Sequence, residues 1–238
     1  MTEGKNMVQI KCNDVSLGYD GKNIVEHLDF EIESGDFLCI VGDNGSGKTT
    51  LMKALLGLKK VSSGSIDFAD RATGRRLGYL PQQSEERSEF PATVEEVVLS
   101  GLVGSLGAKC FFSRSGRKTA RENLYRLGIS DLAKKPFSKL SGGQRQRALL
   151  ARALCAVEDM ILLDEPVSGL DPAATEDMYE LICELNKNHG VTVIMITHDI
   201  DAAVRYASKV LYIGKEPSFF TSVDEYVASP VFPARKEA

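Results

Sequence analysis

The stretch Gly42-Asp-Asn-Gly-Ser-Gly-Lys48-Thr49 decides the fold. Its spacing is G-x-x-x-x-G-K-[ST], a loop whose glycines allow backbone conformations and close approach that a side chain would block. The apolar run Phe37-Leu-Cys-Ile-Val41 precedes it, and an apolar helical pattern from about Lys48 to Leu56 follows. A strand feeding a glycine loop that opens a helix aims bare N–H groups and a positive helix end at an anion, so the loop reads as a phosphate cradle. Gly42, Asp43, Asn44, Gly45, Ser46, Gly47, Lys48, Thr49 and Thr50 are its candidate nucleotide-binding residues. Lys48 is placed to reach the β and γ phosphates, and the Thr49 hydroxyl to hold Mg²⁺. A glycine-rich turn with an incidental lysine would need neither the strand before it nor the helix after.

Working outward, Met160-Ile-Leu-Leu163 and Val191–Ile196 repeat the short apolar run. Continuous apolar strands separated by helices predict a parallel sheet covered on both faces. Met178, Leu181, Ile182 and Leu185 follow helical spacing within a helix near Ala173–Asn188, with Gly190 as its stop. Asp164 and Glu165 end the Met160 strand, where a parallel sheet lines its ligand crevice. There Asp164 suits Mg²⁺ through water, and Glu165 an attacking water. Taken alone, the two acids could equally cap the next helix or stand solvated.

The remaining stretches differ. Thr93–Val157 carries helix-like patterns without a convincing strand and reads as a helical lobe inserted into an α/β core. The first 35 residues and Gly64–Leu80 alternate more and predict an antiparallel side sheet. Turn-rich breaks fall at Glu85–Ala92, Lys134–Ser138 and Lys215–Ser218.

Composition narrows the class. The chain has 238 residues, 43% hydrophobic and 26% charged, a globular balance. Its net charge of −4 argues against a dedicated duplex-DNA binder. No apolar run approaches the ~20 residues that span a bilayer, and Met1–Lys11 lacks a signal-peptide core. Five scattered cysteines without CxxC spacing suggest neither a disulfide framework nor a zinc site, and a reducing cytosol fits best.

Leu140-Ser-Gly-Gly-Gln-Arg-Gln-Arg147 opens a strongly helical run ending near Cys155. Ser141 and Gln144 have capping-box spacing. That spacing leaves Gly142 and Gly143 unexplained, whereas a Ser-Gly-Gly helix start offers N–H groups to an anion. Here the chain resembles the ATP-binding subunit of ABC transporters over nearly its whole length. The phosphate loop is similar to that family's Walker A motif, Met160–Glu165 to Walker B with its catalytic Glu, and Leu140–Arg147 to its signature.

The resemblance implies a P-loop α/β core with a mainly parallel sheet, an antiparallel side sheet and an inserted helical subdomain. It implies one domain: 1–92 and 158–214 as core with side sheet, 93–157 as signature subdomain, and 215–238 as a short tail. Tyr19 matches the aromatic that stacks on adenine, and Gln82, beside Gln83, the Q-loop ligand of Mg²⁺ or water. Asp171 in Ser168-Gly-Leu-Asp171 matches the D-loop that crosses to a partner subunit, and His198 the switch histidine at the γ-phosphate. Asp171-Pro172 also reads as an N-cap with a first-turn proline.

The implied machine is a head-to-tail dimer in which Ser141, Gly142, Gly143 and Gln144 of one copy close over ATP on Gly42–Thr50 of the other. Separate polytopic permease subunits would complete an importer at the cytoplasmic face of the membrane, with a solute-binding protein acting indirectly and no nucleic acid. Leu102, Val103, Leu106, Phe111 and Phe112 are candidate residues for receiving the permease, with ordinary core packing the equal alternative for each. Lys109–Arg121, with five basic residues and no acid, reads as a solvated face, with a place near anionic lipid headgroups as the alternative. Pro91–Gly101 and Tyr206–Phe220 are similar to the zinc- and manganese-type metal importers. Importers of iron-siderophores or cobalamin share much of this pattern, and a soluble non-transport ABC ATPase is the alternative class.

Overall fold

The computed structural model describes residues 7–19, 21–69, 77–82, 91–105, 111–156 and 159–233. In chain order these form β1 (Val8–Tyr19), β2 (Lys22–Glu33), β3 (Phe37–Gly42), α1 (Lys48–Leu55), β4 (Ser63–Phe68), β5 (Gly78–Leu80) and α2 (Val94–Leu99). There follow α3 (Arg114–Arg126), α4 (Gly142–Ala156), β6 (Met160–Asp164), α5 (Pro172–His189), β7 (Thr192–Ile196), α6 (Ile200–Tyr206), β8 (Lys209–Ile213), β9 (Ser218–Phe220) and α7 (Val223–Val227). Gln83, Leu106, Lys109, most of the Glu85–Ala92 break and the last five residues lie outside the described residues.

The chain divides into two compact units, 1–75 with 192–238, and 76–191. In the first, β3 lies between β7 and β8 and runs parallel to both, while β9 closes the edge antiparallel to β8. Every residue of Phe37–Val41 and of β7 is buried, as expected of strands covered on both faces. Burying each such side chain contributes roughly 1.5–3 kcal/mol. Thr192 is the polar exception: its hydroxyl accepts from Gly35 N–H at 2.9 Å and donates to Gln9 Oε1 at 2.6 Å. A separate antiparallel sheet has the order β2-β1-β4. The tail returns over β8 and β9, where Phe220 meets Tyr226 at 5.5 Å and Phe232 stands edge-on to Tyr226 at 5.3 Å.

In the second unit β5 runs parallel to β6. This divides the Gly64–Leu80 stretch expected to join the side sheet: Ser63–Phe68 does so, and Gly78–Leu80 does not. Three residues are too short to show a period, so only the long-range pairing decides their sheet. Among the described residues of 93–156 there are helices, 3-10 turns and connecting loops but no strand, only an isolated bridge between Thr93 and Pro136. A complete capping box starts α2, with Thr93 and Glu96 bonding reciprocally. The α5 helix buries Met178, Tyr179, Ile182 and Leu185 and ends at Gly190, φ 67°.

Candidate functional site

The phosphate loop leaves β3 through Gly42 at φ 142°, a backbone region closed to side chains. A Cβ at Gly42 would lie 2.1 Å from the Ile213 carbonyl oxygen on β8, so neither the dihedral nor the space admits one. Gly47 is held at φ 109° with Val25 Cγ2 2.5 Å from where its Cβ would be. It caps α1 with no side-chain acceptor, which leaves the first N–H groups of that helix facing the loop. Ser46 Oγ is buried and finds no hydrogen-bond partner among the described residues. Lys48 is buried and turns back on the loop, donating to the carbonyls of Gly42 and Asp43 at 2.7 Å each. Backbone donors, an unpartnered hydroxyl and an ammonium converge within nine residues, and this donor set fits phosphate oxygens. Asp43, Asn44, Gly45 and Thr49 are exposed along the same loop, and Thr50 is buried.

Parallel register brings His198 to this end of the sheet. Ile40 stands opposite Ile196, and Thr197 N–H donates to Ile40 O at 3.2 Å, so His198 follows at the level of Gly42. The His198 side chain is exposed. Thr197 is buried and its Oγ1 accepts from Asp199 N–H, while the Asp199 carboxylate caps α6 through Ala202 N–H at 2.9 Å. Tyr19 ends β1 with 47% of its surface exposed, and Lys59 Nζ lies 3.6 Å from its ring centroid, a cation–π contact on one face.

The other candidates belong to the second unit. Leu80 pairs with Leu163, so the exposed Gln82 and the pair Asp164–Glu165 leave the same end of the β5–β6 ribbon. Asp164 is buried. Burial pushes the Tyr79 phenol up, and the negative Asp164 nearby adds to the shift. Glu165 departs from ordinary backbone, with φ 50° in a non-glycine residue directly before Pro166. Proline disfavours the right-handed helical conformation in the residue before it, and a left-handed non-glycine residue is a strained outlier of the kind that gathers at functional sites. A turn follows, closed by Ser168 N–H to Glu165 O at 3.1 Å.

The signature turn is a reciprocal cap. Ser141 N–H donates to Gln144 Oε1, and Gln144 N–H to Ser141 Oγ, both at 3.3 Å. One of the two glycines that capping leaves unexplained has a packing reason: a Cβ at Gly143 would lie 3.2 Å from Ala174 Cβ, whereas one at Gly142 would meet Leu170 Cδ2 at 3.4 Å, close to ordinary contact. Asp171 caps α5 by accepting from Ala174 N–H at 2.9 Å, ahead of Pro172 in the first turn. Two further residues complete this corner; Gln146 was not singled out from the sequence, and Arg147 reads there as structural or as part of an interface. Gln146 is buried, and its Nε2 donates to Pro166 O at 2.7 Å. Arg147 pairs with Asp177 at 2.9 Å. Both stand in the signature segment at helical spacing from the glycines, but their partners are more than 15 residues away, and no local pattern announces them. Of the permease-facing candidates, Val103 and Phe111 are exposed while Leu102 and Phe112 are partly covered.

A parallel strand, a glycine loop and a helix with the lysine folded onto the loop define a P-loop nucleotide-binding protein. The family model described as ABC transporter matches residues 25–168, and the chain belongs to that family. As its ATP-binding cassette, the chain is an ATPase. It is 37% identical over 223 residues to the zinc uptake system ATP-binding protein ZurA of Listeria innocua, covering 91% of this chain and 87% of that protein. To the manganese transport system ATP-binding protein MntB of Bacillus subtilis it is 35% identical, covering 87% of this chain and 84% of that protein. A dimeric, post-hydrolysis ATP-binding cassette bound to ADP and Pi matches at TM-score 0.70 and 26% identity, covering 88% of this chain and 98% of that one. No helix among the described residues is long and apolar enough to cross a membrane.

Proposed function

We propose that this chain is the ATP-hydrolysing subunit of an importer for a metal ion of the zinc or manganese class, working with separate permease subunits at the cytoplasmic face of the membrane. The observation that carries this reading is its likeness, across about nine-tenths of its length, to a zinc-uptake cassette. A manganese-transport cassette stands almost as close. The metal is cargo, taken from a solute-binding protein through the permease. Among the described residues no cluster of three or more His, Cys, Asp or Glu could hold a metal ion, and cargo that never touches this subunit needs none.

In this reading two copies face head to tail. Ser141, Gly142, Gly143 and Gln144 of one close over ATP held by Gly42–Thr50 of the other, with Tyr19 against adenine and Asp171 at the crossing. Neither phosphate-binding surface surrounds the γ-phosphate alone, so ATP joins the two copies and its hydrolysis releases them. Glu165 takes a proton from water as the water oxygen bonds to the γ-phosphorus and the bridging oxygen leaves with ADP. Lys48 neutralises charge on the β and γ oxygens, and His198 orients the γ-phosphate. Thr49, Gln82 and Asp164 offer oxygen donors that suit Mg²⁺, which when bound supplies further neutralisation of the phosphates.

The test pairs two measurements. Glu165→Gln should bind ATP, run as a dimer with ATP and turn over about 10²–10⁴-fold slower than wild type. Cells lacking the chain should lose uptake of zinc or manganese and regain it with wild type but not with Glu165→Gln. Wild-type turnover in the variant would refute the general base, and unimpaired metal uptake in the deletion would refute the cargo.

A further inference from the structure

Glu165 holds φ 50° with no glycine to relieve it, so something outside its own residue must hold the turn. Pro166 follows and contributes no backbone donor, so its carbonyl is its one backbone hydrogen-bonding group. That carbonyl accepts from Gln146 Nε2 at 2.7 Å. Gln146 is 2% exposed, so the bond is shielded from competing water. It sits one helical turn beyond the signature glycines, on α4. The same stretch of α4 is anchored to α5 by the tight approach of Gly143 to Ala174 and by the Arg147–Asp177 pair. The carboxamide therefore acts from a fixed platform.

We propose that Gln146 is a positioning residue for Glu165: its buried carboxamide holds the Pro166 carbonyl and so keeps the Glu165 turn where the carboxylate meets water. This rests on Glu165 being the general base. A glutamine suits the task because it donates without bringing charge into the buried corner, where a lone cation would be costly. Positioning matters most to the chemical step, since displacement of a catalytic group by about 1 Å costs roughly a hundredfold.

The experiment measures steady-state ATPase and ATP-driven dimerisation on the full chain. Gln146→Met keeps the length of the side chain and removes the donor. Turnover should fall about ten- to a hundredfold while KM for ATP and dimerisation stay at wild-type values. Unchanged turnover, or a loss of KM and dimerisation together with kcat, would overturn the assignment. Should Gln146→Met not fold, Gln146→Glu decides the matter through pH. A carboxylic acid can donate to Pro166 O and a carboxylate cannot, so turnover relative to wild type should recover as pH falls. A flat ratio would contradict the proposal. If wild type itself hydrolyses no ATP, the functional reading and this one fall together. If wild type is active and both variants match it, only the role of Gln146 falls.

Discussion

Lys48 places an ammonium among backbone carbonyls, 2.7 Å from Gly42 O and Asp43 O. Its stem is buried against the loop, so the charge is already held where phosphate oxygens would converge. Lys48→Ala should weaken ATP binding about ten- to a hundredfold, since hydrogen bonds to charged groups contribute roughly 1.5–3 kcal/mol each. Titration with a fluorescent ATP analogue measures this, and unchanged affinity would remove Lys48 from the site. Gly42→Ala should be harsher for a different reason: its Cβ would lie 2.1 Å from a backbone oxygen that cannot swing away. We expect a loss of at least ~1 kcal/mol in stability, read by urea denaturation. The loop was legible at this scale because glycine and lysine spacing is local. The backbone of Glu165 was not, because nothing in its residue type announces φ 50°. Nor was the reach of Gln146 to Pro166, which depends on how α4 returns over the strand end.

At the scale of elements, apolar runs identified β3, β6 and β7 and helical spacing identified α5, each within a few residues of its observed bounds. Leu181 was expected in the buried stripe of α5, and Tyr179 takes that place. β5 and β9 are three residues each and have no period to read, so their pairing follows from tertiary contacts alone. The β1–β2 ribbon carries irregularities that alternation does not reveal. Asp14 and His27 both have positive φ and face one another, with His27 Nδ1 2.6 Å from Asp14 Oδ1. That hydrogen bond, and then the charge of Asp14, hold His27 above its ordinary value of 6.5. A raised folded value means that the pair's stabilisation is complete below about pH 6.5 and fades as pH rises through the folded value. An NMR titration of the His27 ring should therefore show it protonated above pH 6.5, and Asp14→Asn should return it toward the ordinary value. Identical titrations in the two proteins would contradict the pairing. The α5 cap gives a second check: Asp171→Ala should cost ~0.5–2 kcal/mol by thermal or chemical melting.

For the whole molecule, three motifs in one order carried the family, and composition alone said little about the activity. The cargo was legible only as a resemblance, in Pro91–Gly101 and Tyr206–Phe220, and no metal-ligating cluster among the described residues points to it. In the proposed machine, ATP drives two copies together on a membrane permease that imports metal. The most direct measurement is a native pull-down of tagged Glu165→Gln with ATP from detergent-solubilised membranes, with partners identified by mass spectrometry. A stoichiometric polytopic partner, retained with ATP and released without it, is the predicted result. Recovery of the chain alone, or with ribosomes or repair proteins in place of a permease, would contradict it.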